Sequence, residues 1–264
     1  MITDTYCTSA APARLRKMVA VVTVALTAAL VAALPARASA STPVASNSPQ
    51  VHRLLLPRHP ATMADFLTQV LQDVHGYWTR KLVASGARRP SVRYRWVNTG
   101  HAVRTGCGRA VVDAFYCPYD DTIYVSQRFA YRIMTGRANG LPGQSAGFGR
   151  ASGDFGVAYL IAHEYAHNIQ QELGVYRAHR KARQSKPFEL EADCMAGLWA
   201  NHSDYAQILE PGDIEEALAT AAAVGDFYMK DPDHHGTPAE RRDALLRGYN
   251  TGDLDQCGAY VAGA

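Results

Sequence analysis

The part of the chain beyond residue 40 has no excess of charge of either sign. The whole sequence contains 27 Lys and Arg residues against 24 Asp and Glu residues, a formal charge of +3. The first 40 residues hold four basic residues and one acidic residue, so 23 of each sign remain and the formal charge falls to zero. Without a basic surface there is no electrostatic basis for binding nucleic acid or an anionic membrane. We therefore expect no nucleic-acid partner.

The sequence also lacks internal repeats, which excludes a repeat array. Hydrophobic residues make up 47% and charged residues 19% of the 264 positions, an ordinary balance for a globular protein with a sizeable core. Residues 41–60 are rich in Ser, Pro, Ala and Asn, which predicts a linker. We expect a single folded domain at residues 61–264.

The N-terminal segment has the pattern of an export signal. Arg14, Arg16 and Lys17 precede an uncharged apolar run at residues 18–34, and residues 38–40 form a small-x-small cleavage site. The apolar run is of borderline length for a membrane span, so an uncleaved signal anchor is the alternative to a signal peptide. Both interpretations predict a secreted or extracytoplasmic protein. The membrane is a partner only if the anchor is retained.

Few cysteines follow the signal. Once Cys7 is removed with it, Cys107, Cys117, Cys194 and Cys257 remain, and an even number in an exported chain indicates two disulfides. Of the three possible pairings we favour a local Cys107–Cys117 bridge, which leaves Cys194–Cys257 to connect a helix to the C-terminal tail. Free buried thiols are the alternative, which an oxidising compartment disfavours.

Hydrophobic periodicity predicts an α+β chain whose C-terminal half is mainly helical. A glycine-rich loop is expected at residues 136–154, and a further loop between the two cysteines 107 and 117. The predicted helices span residues 62–84, 156–172, 188–201, 213–230 and 238–249, and the predicted strands span residues 91–98 and 122–126.

A His-Glu-x-x-His pattern at residues 163–167 predicts a metal site. His163 and His167 are four residues apart, so they project from one face of a helix. Two imidazoles so placed can bind one Zn²⁺ at about 2.0–2.1 Å. Glu164 follows the first histidine in the position of a general base that takes a proton from water. An exposed helix with incidental histidines is the alternative, but the neighbouring residues are uncharged and suit a buried helix.

A second helix can complete this site. A catalytic zinc needs a third protein ligand and one open position. Glu189 and Asp193 are four residues apart, which predicts that Glu189 binds zinc while Asp193 accepts the far ring N–H of a ligand histidine. Glu191 is the alternative ligand, although it faces away from Asp193. A solvated acidic helix face is the other interpretation.

His235 lies just ahead of a predicted helix start. Thr237 and Glu240 match the N-cap and N3 residues of a capping box. A histidine held there can stabilise an oxyanion, and Arg241 can hold the loop by pairing with a carboxylate. An ordinary exposed turn is an equal alternative for His235, and it is what we expect for His234.

Four blocks of residues in this order resemble the putative neutral zinc metallopeptidase family of bacteria, over about residues 107–257. The blocks are Cys107 with Phe115-Tyr116-Cys117-Pro118, Asp121 and Ile123-Tyr124; Gly153-Asp154-Phe155 with Ala158-Tyr159-Leu160-Ile161-Ala162-His163-Glu164 and His167; Glu189-Leu190-Glu191-Ala192-Asp193-Cys194 with Ala196-Gly197; and His235-Gly236-Thr237 with Arg241. One departure is Asn168, which stands where relatives commonly have a further histidine.

The resemblance implies a compact zincin fold, in which a small mixed sheet packs on the active-site helix, and peptidase activity outside the cytoplasm. It also extends to the wider zincin group, in which a Glu-x-x-x-Asp helix follows the His-Glu-x-x-His helix, and this supports Glu189 over Glu191. We expect one Zn²⁺ per chain and a peptide or protein substrate.

The leading hypothesis is thus an exported zinc metallopeptidase in which Glu164 is the general base and His235 steadies the oxyanion. Strand 122–126 is expected at a sheet edge, where an extended peptide can add as a further strand. Phe129 and Tyr131 then either line the cleft or, as we favour, pack in the core. Two alternatives are a non-catalytic exported zinc-binding protein and a zinc amidase that acts on a cell-wall peptide.

Overall fold

The computed structural model describes residues 61–98, 102–110 and 113–264. The predicted signal or anchor at residues 1–40 and the predicted linker at residues 41–60 lie outside these ranges. Within them, no helix combines the length and the apolar character that crossing a membrane requires.

Helix α1, Met63–Ala84, forms where the apolar periodicity predicts it. It begins at the N-cap Thr62, whose side chain accepts a hydrogen bond from the backbone N–H of Asp65. The apolar residues that repeat at helical spacing are all buried: Phe66, Val70, Leu71, Val74 and Trp78. This face packs against α4, Asp154–Glu172, the helix of the His-Glu-x-x-His pattern.

In the part of the chain that the structure describes, five strands form two small sheets. The strands are β1 Arg93–Val97, β2 Val103–Thr105, β3 Gly108–Ala110, β4 Ala114–Cys117 and β5 Thr122–Ser126. The larger sheet has the order β1-β5-β4, with β5 parallel to β1 and antiparallel to β4, and β2 pairs with β3 in a separate ribbon. A small mixed sheet is therefore present, and β4 contacts α4.

The expectation that strand 122–126 lies at a sheet edge is wrong. Strand β5 is the central strand, and all five of its residues are buried. With β1 and β4 paired on its two sides, it has no free edge to which a peptide can add. The edges of this sheet, within the described residues, belong to β1 and β4.

The chain between β1 and β5 holds more structure than the predicted loop. Strands β2, β3 and β4 lie there, each of three or four residues, which is too short to show a periodic pattern. The predicted Cys107–Cys117 disulfide is present, with a Cα–Cα distance of 5.8 Å. It joins the turn between β2 and β3 to the end of β4.

After β5 the chain is helical, so the α+β class and the helical C-terminal half are confirmed. The helices are α2 Gln127–Met134, α3 Pro142–Ser145, α4 Asp154–Glu172, α5 Val175–Ala178, α6 Lys186–Tyr205, α7 Asp213–Val224, α8 Pro238–Thr251 and α9 Leu254–Gly258. Helix α7 ends six residues before its predicted end, because Gly225 takes an extended backbone conformation. In α2 Phe129 packs in the core, as expected, whereas Tyr131 is exposed.

Helices α4 and α6 lie at the centre of this half. Helix α4 contacts α1, α6 and α7, and α6 packs closely against α8. A side chain at Gly248 would place its Cβ 1.8 Å from the carbonyl oxygen of Cys194, so the α6–α8 contact requires glycine. The predicted Cys194–Cys257 disulfide is also present, with a Cα–Cα distance of 5.4 Å, and ties α9 to α6.

Candidate metal centre

Helices α4 and α6 bring His163, His167 and Glu189 together. Their ligand atoms all lie within 4.8 Å of one another. The Nε2 of His163 is 3.1 Å from one carboxylate oxygen of Glu189, and the Nε2 of His167 is 3.4 Å from the other. Two imidazole nitrogens and one carboxylate are the donor set of a common class of catalytic zinc site. The three residues singled out in the sequence therefore fit a Zn²⁺ ion.

The far nitrogen of His163 faces Asp193. The His163 Nδ1 lies 2.8 Å from an oxygen of this carboxylate, which is completely buried. Asp193 also accepts hydrogen bonds from the Tyr159 hydroxyl at 2.5 Å and from Arg241 at 2.8 and 2.9 Å. The buried carboxylate is therefore paired with a cation and saturated with donors, as a buried charge requires. It sets the tautomer and the orientation of the His163 ring.

The charges in this cluster shift the pKa values of its members. Burial by itself lowers the pKa of His163, but the Asp193 carboxylate outweighs burial and raises that pKa to about 10. Burial raises the pKa of Glu189, but the rings of His167 and His235 outweigh it and bring that pKa well below its ordinary value. A metal ion that binds here must displace a proton from His163.

The far nitrogen of His167 is held by neutral groups. Its Nδ1 lies 2.8 Å from the Gln170 side-chain oxygen and 3.1 Å from the Tyr176 hydroxyl. The Gln170 amide nitrogen in turn donates to the Phe188 carbonyl and to Glu191, at 2.8 and 2.9 Å. Gln170 was not predicted from the sequence, although it stands three residues after His167, on the same face of α4.

Glu191, the alternative ligand, is not part of the cluster. Its carboxylate accepts the hydrogen bond from Gln170 and is almost fully buried. Burial raises the pKa of this carboxyl to about 7. Glu191 therefore reaches the site only through Gln170, which orients His167.

Glu164 is buried on α4, next to His163. Burial by itself lowers the pKa of His167, the Glu189 carboxylate raises it, and the charge of Glu164 adds to that increase, so the net shift is upward. Glu164 thus lies close enough to His167 for its charge to act on that ring.

Helix α8 closes one side of the cluster through Arg241. Its Nη2 lies 3.3 Å from each ring nitrogen of His163 and 3.9 Å from Glu189. The predicted capping box is present: Thr237 accepts from the Glu240 N–H at 3.2 Å, and Glu240 accepts from the Thr237 N–H at 2.9 Å. Arg241 does pair with a carboxylate, that of Asp193, and so connects the helix start to α6.

Residues 225–237, which we call segment 225–237, carry the two adjacent histidines between α7 and α8. The Asp226 carboxylate accepts backbone N–H groups from Tyr228 at 2.8 Å and from His235 at 3.0 Å. The His235 ring is about half exposed, with Nδ1 3.4 Å from the same carboxylate. The expectation that His234 is exposed is wrong: it is buried, and its Nδ1 also contacts Asp226. Asp226 was not predicted as a site residue because the sequence pattern placed it inside the helix expected at residues 213–230.

Residues 12–260 match the profile of the family described as putative neutral zinc metallopeptidase. The chain is 33% identical over 221 residues to the uncharacterized protein YpfJ of Escherichia coli (strain K12), a match that covers 75% of this chain and 71% of the relative. It is 34% identical over 216 residues to the uncharacterized protein Rv2575 of Mycobacterium tuberculosis (strain ATCC 25618 / H37Rv), covering 72% and 68%. No solved structure matches the chain at a significant level.

Proposed function

Because the chain belongs to the neutral zinc metallopeptidase family, we propose that it is a zinc-dependent peptidase of the zincin type that acts outside the cytoplasm. The observation that carries the proposal is the cluster of His163, His167 and Glu189, in which both histidines turn Nε2 toward the carboxylate while their Nδ1 atoms are held elsewhere. The proposed location rests on the signal-like pattern of the first 40 residues.

The number of ligands favours a catalytic site over a structural one. Structural zinc sites usually have four protein ligands, whereas catalytic sites have three and leave one position for water or substrate. The cluster, as far as the structure describes the chain, has three. The buried Glu164 beside it has no purpose in a structural site but suits a base. Both points count against a non-catalytic zinc-binding protein.

When bound, zinc supplies a Lewis acid for the substrate carbonyl and lowers the pKa of a water molecule. Glu164 takes a proton from the attacking water and delivers it to the leaving amine, so that one carboxylate serves as base and then as acid. Asp193 and Gln170 hold the two histidine rings while this happens. Helix α4 carries the base Glu164 and the ligands His163 and His167 on one rigid element, so these three groups need not move during the reaction.

His235 stabilises the negative charge that develops on the substrate oxygen, in addition to the metal. As the peptide carbonyl becomes tetrahedral its oxygen gains negative charge, and a hydrogen-bond donor placed there lowers the barrier. Asp226 binds the backbone of His235 and faces its Nδ1, which leaves Nε2 for the substrate. The half-exposed ring is accessible from solvent, as this role requires.

The test is digestion of a peptide library by the purified chain, with zinc supplied and then chelated, for the wild type and Glu164→Gln. We expect about one zinc per chain in both proteins, zinc-dependent cleavage by the wild type, and a loss of about 10²–10⁴-fold in the variant. A matched control is Glu172→Gln, on the exposed end of the same helix about 12 Å from Glu164. Equal cleavage by Glu164→Gln and the wild type would contradict the proposed mechanism.

A further inference from the structure

Large apolar side chains are exposed in segment 225–237, which also carries His235, and in the loop that it contacts. Ten such side chains are exposed in the described part of the chain, and four of them lie in two short stretches. Phe227, Tyr228 and Met229 are consecutive in segment 225–237, and Phe148 belongs to the glycine-rich loop before α4. The Phe148 and Phe227 ring centroids are 5.4 Å apart, so the two stretches meet. We call these four residues the aromatic shelf.

The shelf and His235 are positioned by the same carboxylate. Asp226 directly precedes Phe227, and it accepts both the Tyr228 N–H and the His235 N–H. Ser185, at the start of α6, holds the same segment: its N–H donates to the Pro232 carbonyl at 2.8 Å. Segment 225–237 is thus fastened to the helix that carries the third proposed ligand.

The other stretch of the shelf is held by close packing. The glycine-rich loop that carries Phe148 lies directly on α7. A Cβ at Gly143 would stand 2.0 Å from the Ala222 carbonyl oxygen, and one at Gly149 would stand 2.4 Å from that of Ala219. Only glycine permits this contact. Phe148 is therefore presented on a fixed backbone.

The exposed part of these side chains gains nothing from burial in the core, and a cluster of exposed apolar area marks a binding surface. The backbone N–H groups of Tyr228 and His235 both donate to Asp226, at 2.8 and 3.0 Å, so the shelf and His235 lie close enough for one occupant to contact both. An extended peptide advances about 3.3–3.6 Å per residue, so a chain with its scissile bond at His235 passes the shelf within a few residues. A polypeptide with a bulky apolar side chain there satisfies both conditions.

We propose that the aromatic shelf is a specificity subsite that binds a large apolar side chain of a peptide substrate, within about four residues of the scissile bond. The inference rests on the proposed peptidase function. It assigns the substrate class that the metal cluster alone leaves open: peptides with Phe, Leu or Met near the cleaved bond.

The experiment compares three full-length, zinc-loaded proteins: the wild type, the double variant Phe227→Ser/Tyr228→Ser, and the control Tyr205→Ser. Tyr205 is 90% exposed and lies at the far end of α6, about 24 Å along the helix from Glu189. Each protein digests the same peptide library, and mass spectrometry gives the residues that flank each cleaved bond. We expect the wild type and Tyr205→Ser to favour large apolar residues on one side, and the double variant to lose about tenfold of that preference. Phe227 is about half exposed and Tyr228 is 64% exposed, so zinc content should stay unchanged and the melting temperature should fall only slightly, by the loss of the Phe148–Phe227 contact.

A binding measurement separates failure of the inference from failure of the proposed function. Fluorescence anisotropy in the Glu164→Gln background compares two labelled peptides that differ only in Leu against Ser. If the two shelf substitutions weaken binding of the Leu peptide, the subsite is supported. This result would hold even if no protein cleaved any peptide and the peptidase proposal failed.

An unchanged cleavage profile and unchanged Leu-peptide binding in the double variant would refute the subsite while leaving the peptidase proposal intact. Sedimentation with phosphatidylcholine vesicles provides the last outcome. If the double variant loses only vesicle binding, the shelf is a membrane contact and the inference is wrong.

Discussion

In the α4–α6 helix pair the groups proposed to hold zinc are at most 13% exposed, whereas in segment 225–237 the groups proposed to meet the substrate are about half exposed. His163 and Asp193 are each at most 4% exposed and are oriented by side chains from other helices. In segment 225–237 the buried Asp226 carboxylate and Ser185 bind the backbone, and the His235 and Phe227 side chains are about half exposed.

This difference follows from what each region does. A metal site needs ligands that are correctly placed before the ion arrives, and burial between rigid helices provides that placement. A substrate must enter and leave, so the groups that meet it have to be accessible, and only their backbone can be held. The two regions should therefore respond differently to substitution: the helix pair in stability and zinc affinity, the segment in turnover.

The largest expected effect is on the stability of the helix pair. Replacing Cys194 and Cys257 by Ala should lower the free energy of unfolding by about 4 kcal/mol, because their bridge closes a loop of 63 residues. Replacing Cys107 and Cys117 by Ala should lower it by about 3 kcal/mol, because that loop has only 10 residues. Urea denaturation of the two double variants measures both values. A greater loss from the shorter loop would show that strain or packing outweighs loop entropy.

His235→Gln should lower kcat by about 10²–10³-fold, because the developing oxyanion loses its donor outside the metal. Zinc content should stay at the wild-type value, since His235 is not part of the ligand cluster. Steady-state kinetics together with elemental analysis check this. Loss of zinc in this variant would show that segment 225–237 also contributes to metal binding.

Zinc affinity should fall as the pH falls from 8 to 6. The pKa of His163 is about 10 in the metal-free protein, so its ring is protonated throughout this range and must lose the proton to bind zinc. Competition for that proton weakens binding by about tenfold per pH unit. Titration against a competing chelator at several pH values gives the slope, which should be the same in His235→Gln. A flat profile would contradict the proton displacement.

Asp193→Asn should weaken zinc binding by about 10–100-fold, because the His163 ring loses its charged partner and Arg241 loses its carboxylate. Gln170→Ala is the comparison, since Gln170 holds His167 with a neutral amide. We expect a smaller loss there. Isothermal titration with zinc ranks the two variants, and the opposite order would mean that charge is not what holds the ligands.

Asp226→Asn should have the smallest effect, a fall in kcat of about tenfold, because hydrogen bonds to a neutral amide are weaker than those to a carboxylate. Zinc affinity should not change. A shift in zinc affinity, measured by the same titration, would show that Asp226 acts on the metal site and not on His235.

Long, regular features were predictable from the sequence. The helix of His163 and His167 and the helix of Glu189 and Asp193 follow from spacing, and α1 follows from its apolar periodicity. Short or irregular features were not. Strands β2 to β4 have three or four residues each, and the end of α7 depends on one extended glycine, so Asp226 was placed inside a helix.

By itself the sequence determined which residues share a helix face, since a separation of four residues puts two side chains on the same side whatever surrounds them. It also favoured the cysteine pairing that the structure shows, while leaving the other pairings open. Only the tertiary structure decided that Glu189 and not Glu191 meets the histidines, that β5 is central, and that His234 is buried while its neighbour is exposed. These outcomes depend on how each element is rotated against its neighbours, and that rotation is set by packing across distant parts of the chain.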